Sequence, residues 1–426
     1  MIRLLTGDAF DHLRAMPSES VDAVVTDPPY GLSAPPDVSK VLAAWMAGEQ
    51  YEHTGAGFMG AAWDSFVPGP RVWREVLRVL KPGGHAVVFA GTRTVDLMGI
   101  SVRLAGFEVR DTIHWSYWSG FPKSLDISAD IDRMAGAERE VVGVYIDPDG
   151  ITRTKRSDGI WSSEGAGSRA ITAPATPDAI RWQGFGTGIK PSIEPALLLR
   201  KPIRESSIAR QVLATGTGAL NLDACRFKPG DPMWPGPDDG GNNLARVPAV
   251  VADTPTGFGK GQAMGGRGHD LGRFPANLVS VAKASRGERE LGCAGLPLFN
   301  PLFNPTIEHH GEGAKTLTTP SSGAGRGGGQ IRNGHPTVKP LKLMRWLVRL
   351  VGCQPGSVIL DPFMGSGTTG MAAVGQGYSF IGCELLPEHM AISRARIEYA
   401  ASGRGVECDL EDTRAPAAQA DLFRGG

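Results

Sequence analysis

An α/β fold, a parallel sheet covered by helices on both faces, is what this sequence predicts. Three observations carry it. Short apolar runs that end in turns alternate with segments of helical spacing, and strands separated by helices imply a parallel sheet. The alternation is clearest in two blocks toward the ends of the chain. Between them the chain turns irregular, and there the 58 glycines and 32 prolines of the 426 residues concentrate.

In the first block, Asp22 to Thr26 is an apolar run ending in a turn, as expected of a buried parallel strand. Arg71 to Leu80 places Val72, Val76, Leu77 and Leu80 on one side of a helix. Lys81-Pro82-Gly83-Gly84 is a clear breaker after it. His85 to Ala90 reads as the next strand, Leu97 to Leu104 as a helix and Thr112 to Trp118 as a further strand. Periodicity weakens between Lys123 and Gln183, and a strand-like Glu194 to Lys201 follows. From Pro202 to Arg332 the chain is irregular, with low complexity from Gly323 to Gly329. Order returns at His335. An amphipathic helix spans Leu341 to Val351, then a strand Ser357 to Leu360, a glycine turn, a helix Thr368 to Val374 and a strand Tyr378 to Cys383. A last helix spans Pro387 to Ala401, and the tail beyond Gly403 reads as disordered. No internal repeat of solenoid period is present.

Composition narrows the class. No apolar run approaches the roughly 18 residues that span a bilayer, and the first residues turn polar too early for a signal peptide. Five scattered cysteines without a CxxC pair argue against a disulfide framework or a zinc site and for a reducing cytosol, so a cytoplasmic location is expected. Forty-four basic residues balance 44 acidic ones. That balance weighs mildly against a nucleic-acid partner, although local clustering of cations matters more than net charge.

Two segments carry chemistry. In Leu360-Asp361-Pro362-Phe363-Met364-Gly365-Ser366-Gly367-Thr368-Thr369 a strand runs into a glycine turn that opens a helix. Such a turn lets backbone approach a nucleotide-like ligand closely. Glu384, seventeen residues after Gly367, ends the next strand and can accept hydrogen bonds from ribose hydroxyls. Alone, this reads equally as a plain tight turn or a generic dinucleotide site. The full GxGxxG and GxxxxGK[ST] spacings are absent, which makes a pyrophosphate or triphosphate ligand less natural.

Asp27-Pro28-Pro29-Tyr30 follows its own strand. Two prolines stiffen the backbone and remove two N–H donors. The Asp27 carboxylate and the Pro28 carbonyl then form a rigid acceptor pair beside an aromatic ring. That suits a planar amine, whose N–H groups the acceptors hold while Tyr30 stacks on the ring bearing it. Alone, the segment also reads as a stiffened turn with a buried tyrosine.

Together, in this order, the two segments resemble the amino-methylating DNA methyltransferases. The catalytic loop precedes the cofactor loop, as in the circularly permuted β group of that family, in versions often carried by phages. Thr6-Gly7-Asp8-Ala9 is similar to the family's N-terminal lead-in, Arg78 to Gly84 to the helix and turn after the catalytic loop, and Gly120-Phe121-Pro122-Lys123 and Lys190 to Lys201 to parts of its sheet. His335 to Pro340 is similar to the segment that binds the methionine end of the cofactor.

The resemblance implies a Rossmann-like S-adenosylmethionine-dependent methyltransferase fold with an irregular target-recognition insert. Residues 1–123 are the catalytic half, 124–184 an insertion, 185–203 a returning strand, 204–330 the recognition region, 331–402 the cofactor half and 403–426 a flexible tail. Asp27, Pro28, Pro29 and Tyr30 are the expected catalytic residues. The expected cofactor residues are Asp8, Ala9, Asp27, His335, Thr337, Lys339, Asp361, Pro362, Phe363, Gly365, Ser366, Gly367, Thr368, Thr369, Glu384 and Leu385. No metal is expected, since Glu308-His309-His310 reads as a solvated turn.

The implied reaction moves a methyl group from S-adenosylmethionine to the exocyclic amine of a flipped base in double-stranded DNA, with no membrane involved. An Asp at the first loop position is commoner among N6-adenine enzymes than among N4-cytosine ones. Lys123, Arg226, Lys228, Arg246, Arg267 and Arg273 are the expected DNA contacts; each could equally be a solvated surface residue. Dimerisation is common in the β group, but neither a homodimer nor a restriction-enzyme partner is written in these residues. Competing readings are an RNA or protein-amide N-methyltransferase, and a non-catalytic DNA-binding remnant with a damaged loop. Neither loop is damaged, and both the Asp and the loop order favour DNA.

Overall fold

The computed structural model describes residues 1–31, 36–53, 62–120, 124–145, 154–155, 161–162, 169–228, 230–234, 272–298 and 331–403. The Glu308-His309-His310 turn, the Gly323 to Gly329 stretch and the tail beyond Gly403 lie outside them.

Strand β1 (Ile2–Thr6) leads into α1 (Ala9–Ala15), capped by Asp8, whose Oδ1 accepts from the Phe10 N–H at 2.7 Å. β2 (Val21–Thr26) is buried along its whole length, as expected of a parallel strand covered on both faces. α2 (Val38–Met46) and α3 (Pro70–Val79) precede β3 (Leu80–Phe89). The Lys81 to Gly84 breaker does end α3, but those residues form the start of β3 rather than a turn ahead of it. The β2–β3 register shifts between Val21 and Ala23. Such an irregularity accommodates Pro82 and two glycines inside a strand.

α4 (Val95–Ala105) and β4 (Glu108–Ser116) close the first block. Next come α5 (Ile127–Met134), β5 (Val141–Tyr145), β6 (Thr154–Lys155), β7 (Trp161–Ser162), β8 (Arg169–Thr172) and α6 (Pro177–Arg181). Here β5 pairs with β8 and β6 with β7, as two small antiparallel ribbons apart from the main sheet. β9 (Ile193–Arg200) then returns to that sheet.

The stretch expected to be irregular holds α7 (Ile208–Thr215), β10 (Leu278–Ser280) and α8 (Arg286–Glu290). These elements are too short for apolar periodicity to reveal them. α9 (Leu341–Val351), β11 (Val358–Asp361), α10 (Thr368–Val374), β12 (Ser379–Glu384) and α11 (Pro387–Ala401) form the second block.

The main sheet has the order β1-β12-β11-β2-β3-β9-β4-β10. Its strands are parallel except β9, which runs antiparallel to both β3 and β4. The sheet is therefore mixed, not wholly parallel as expected. The cause is topological. β9 begins beside the end of β4, with Ile193 opposite Ser116, so a chain that re-enters at that edge must run back along it.

Alternate residues feed two cores. Ala23, Val25, Val87 and Phe89 pack with α9, α10 and α11. Val24, Ala86, Val88, Leu360 and Ile381 pack with α1 to α4 on the other face. Helices cover both faces, as expected. Trp115 and Tyr117 lie in the first core, whereas Trp118 is 80% exposed.

Candidate active site

Burial of β2 and β11 side by side decides where the two motif loops meet. Leu360 of β11 lies opposite Val24 of β2, so Asp361 and Asp27 emerge at the same edge of the sheet. From β11 the chain continues through α10 to β12 on one side; from β2 it continues through α3 to β3 on the other. Adjacent strands whose connections diverge leave a crevice at their carboxyl ends, where α/β sheets bind ligands. A cleft of about 670 Å³ opens there, within the usual range for ligand sites.

The cleft is lined by Asp8, Ala9, Asp27, Pro29, His335, Thr337, Lys339, Asp361, Pro362, Phe363, Gly365, Ser366, Thr368, Thr369, Glu384 and Leu385 among others. Of the expected cofactor residues only Gly367 does not line it. Gly367 is the N-cap of α10, with φ +77°, and a Cβ there would come 2.8 Å from the Ser393 Cβ on α11. Its lack of a side chain serves the packing of two helices. Gly365 is a close approach of another kind: a Cβ would lie 2.7 Å from His335 Nε2.

The turn after β11 is tied from within. Asp361 Oδ1 accepts from the Thr26 hydroxyl at 2.7 Å and the Phe363 N–H at 3.1 Å, and Oδ2 from the Thr369 hydroxyl at 2.6 Å. Burial pushes the Asp361 carboxyl up to about 7 despite these bonds. Glu384 accepts from the Gly365 N–H at 2.8 Å and the Leu386 N–H at 3.0 Å, one on each oxygen. A carboxylate oxygen can take a second donor, so Glu384 retains acceptor capacity toward the cleft it lines. His335 Nδ1 lies 2.8 Å from the Thr337 carbonyl oxygen. The Thr337 N–H also approaches Nδ1, at 3.3 Å, so both backbone groups of Thr337 hold the ring. Burial, then the neighbouring His389, holds His335 well below its usual range, so it is neutral.

Around the second loop, Pro28 is buried and Tyr30 half-buried. Asp64 holds the loop's backbone, its Oδ1 accepting from the Tyr30 N–H at 2.7 Å and the Gly31 N–H at 3.3 Å. The Thr94 hydroxyl donates to the Tyr30 carbonyl at 2.6 Å. Lys339, 7% exposed, donates to Asp27 Oδ2 at 2.5 Å and to the Tyr30 hydroxyl at 3.1 Å. Asp27 Oδ1 is buried and accepts no hydrogen bond among the described residues. A buried acceptor left so costs about 1–3 kcal/mol, and it matches a donor brought by a ligand. Expected only as a cofactor residue, Lys339 also contacts the Asp27 to Tyr30 loop.

Sequence reasoning missed Asp64, Glu194 and His389. Asp64 and Glu194 are lone carboxylates outside any motif, and no local signal marks them. Among the expected DNA contacts, Lys123, Arg246 and Arg267 lie outside the described residues. Lys228 is exposed. Arg226 is instead drawn inward: its side chain is 13% exposed, donating to Asp223 at 2.8 Å and to the Gly272 carbonyl at 3.3 Å. Arg273 lies over the Trp234 ring, 4.9 Å from its centroid. Among the described residues no group of three His, Cys, Asp or Glu side chains could hold a metal ion, and no helix is long and apolar enough to cross a membrane.

Comparison with known proteins bears on this site. The DNA adenine methyltransferase YhdJ of Escherichia coli K12 is 41% identical over 66 residues, 16% of this chain and 22% of that protein. The type II methyltransferase M2.DpnII of Streptococcus pneumoniae is 45% identical over 64 residues, 15% of this chain and 24% of that protein. The matched segments thus span about a quarter of these curated relatives' length. The structure of TTHA0409 from Thermus thermophilus complexed with S-adenosyl-L-methionine aligns over 95% of this chain and 96% of that one, at 18% identity and a TM-score of 0.40. A family model described as DNA methylase, for the N6/N4 methyltransferases, matches residues 21–135 and 297–395. Those residues are half of the chain and include both motif loops, and the chain belongs to the N6/N4 DNA methylase family.

Proposed function

We propose that this chain transfers a methyl group from S-adenosylmethionine to the exocyclic amine of a DNA base, N6 of adenine before N4 of cytosine. One observation carries the reading: Asp27 presents one oxygen tied to Lys339 and one buried oxygen with no partner among the described residues, at the edge of a ligand-sized cleft. The cleft's residues fit the methyl donor. Glu384 retains acceptor capacity for ribose hydroxyls, and Gly365 keeps the turn free of a side chain that would meet His335. S-adenosylmethionine supplies an electrophilic methyl on a sulfonium, a good leaving group.

The protein's task is alignment. Asp27 Oδ1 accepts an amine N–H, which draws the hydrogens aside and favours a pyramidal nitrogen whose lone pair can attack. Pro28 and Pro29 hold that carboxylate against rotation of the loop, and Lys339 holds its other oxygen. A base in a duplex must leave the stack to reach the loop. The order of the loops supports the permuted β arrangement, and Asp rather than Ser at position 27 supports adenine. The similarity to the DNA adenine methyltransferase YhdJ of Escherichia coli points the same way. Lys228 is an exposed cation within the 204–330 region that we assign to DNA phosphate.

Supplying labelled methyl donor with DNA, RNA and protein acceptors tests the reading. Label is expected in DNA. Asp27→Ala should bind the methyl donor nearly as well as wild type and lose transfer by at least about 10²-fold. A fully active Asp27→Ala would overturn the assignment.

A further inference from the structure

Behind Asp27 lies a second carboxylate that belongs to neither motif. Glu194 stands on β9 opposite Trp115 of β4, so strand pairing fixes its backbone. It does not line the cleft, and its side chain is 17% exposed. Its Oε2 accepts from the Tyr30 hydroxyl at 3.3 Å and lies 3.3 Å from Lys339 Nζ, while Oε1 lies 3.5 Å from Lys283 Nζ. Asp27, Lys339, Glu194 and Lys283 therefore form a chain of alternating charge, with the Tyr30 phenol bridging Lys339 and Glu194.

We propose that Glu194 is a positioning residue for Asp27: it anchors the Lys339 ammonium and the Tyr30 hydroxyl, so that Asp27 keeps Oδ2 on Lys339 and turns Oδ1 to the substrate amine. The inference rests on the methyl-transfer reading above.

The surroundings of Lys339 say why one carboxylate would not suffice. Its ammonium is buried, with the ring centroids of Phe89, Tyr30 and Trp115 at 4.8, 5.3 and 6.0 Å. Burial alone would push its proton affinity down; the Asp27 and Glu194 carboxylates outweigh burial and hold it above the usual lysine range. Glu194 is the converse case. Burial pushes it up, and Lys339 with Lys283 outweigh that and hold it below the usual carboxylate range. The charged and titratable groups facing this pair are Asp27 and Tyr30 after β2, Tyr117 after β4 and Lys283 after β10. Without the Glu194 charge, Lys339 retains one carboxylate against full burial. It then loses its proton at lower pH, and Asp27 Oδ2 loses its donor.

The test uses the full chain with Glu194→Gln and Glu194→Asp, each checked for wild-type thermal unfolding. In Glu194→Gln, kcat should fall about tenfold or more while KM for S-adenosylmethionine stays within about twofold. The alkaline limb of the pH–kcat profile should move to lower pH. Glu194→Asp keeps the charge and should retain the wild-type limb with a smaller loss of kcat; it also serves if the Gln variant fails to fold. Independently of activity, the Lys339 side chain, followed by NMR of ¹³C-labelled lysine without ligand, should titrate at lower pH in Glu194→Gln. A folded Glu194→Gln with unchanged kcat and an unchanged Lys339 titration overturns the proposal. A wild-type protein that methylates no DNA refutes the reading of function instead, while the NMR titration still decides whether Glu194 controls Lys339.

Discussion

Replacing Asp361 by Asn isolates a carboxyl whose protonation state should govern stability near neutral pH. The side chain is 1% exposed, and the partners that hold it are the Thr26 and Thr369 hydroxyls and the Phe363 N–H, all uncharged donors. Burial raises it from 3.8 to about 7, and the nearby Asp27 carboxylate adds to the rise. A group that binds its proton more tightly folded than unfolded contributes stability that is complete below about pH 3.8. That contribution is lost as pH climbs through about 7, because the unfolded chain gives up the proton first. At about 1.4 kcal/mol for each tenfold in proton affinity, the swing is about 4 kcal/mol. Asn keeps the shape and one acceptor but does not titrate. In urea unfolding from pH 4 to 9, the stability of wild type relative to Asp361→Asn should therefore fall by about 4 kcal/mol, most of it below pH 7.5. The comparison cancels the other carboxylates, which titrate alike in both proteins. A difference that stays flat across this range would mean that Asp361 is ionised throughout and that its three donors outweigh burial.

Two glycines of like backbone separate strain from packing. Gly377, with φ +79° and open space at its Cβ, should lose about 1 kcal/mol on Gly377→Ala. Gly367→Ala should lose that plus about 1–3 kcal/mol for the clash with Ser393; equal losses in chemical denaturation would remove Gly367 from the α10–α11 contact. Asp64→Ala strips the acceptor from the Tyr30 and Gly31 N–H groups and should cost about 2 kcal/mol. It should also lower kcat more than affinity for the methyl donor, whereas an unchanged kcat would make Asp64 a purely structural support.

Local punctuation made part of this molecule readable. Gly367 and Pro387 mark helix starts, so α10 and α11 are read with their observed bounds, Thr368–Val374 and Pro387–Ala401. The short apolar runs of β2 and β3 mark them as strands, and strand-to-loop transitions at Asp27 and Asp361 point to the crevice. What stayed hidden depends on contacts between distant segments. The β9 segment is visibly a strand, but its antiparallel direction follows from the edge at which the insert returns. Glu194 is one acid in an apolar run, and only folding brings it to Lys339 and Lys283. Arg226 looks like any exposed cation of a loop, yet Asp223 and the Gly272 carbonyl claim its guanidinium.

The most direct test of the central claim is nucleoside mass spectrometry of DNA incubated with the protein and S-adenosylmethionine. A methyl group on an exocyclic amine is expected, as N6-methyldeoxyadenosine, absent when Asp27→Ala replaces wild type. N4-methyldeoxycytidine would preserve the chemistry and overturn the base. Methyl on a ring carbon, or unmodified DNA beside labelled protein or RNA, would contradict the claim itself.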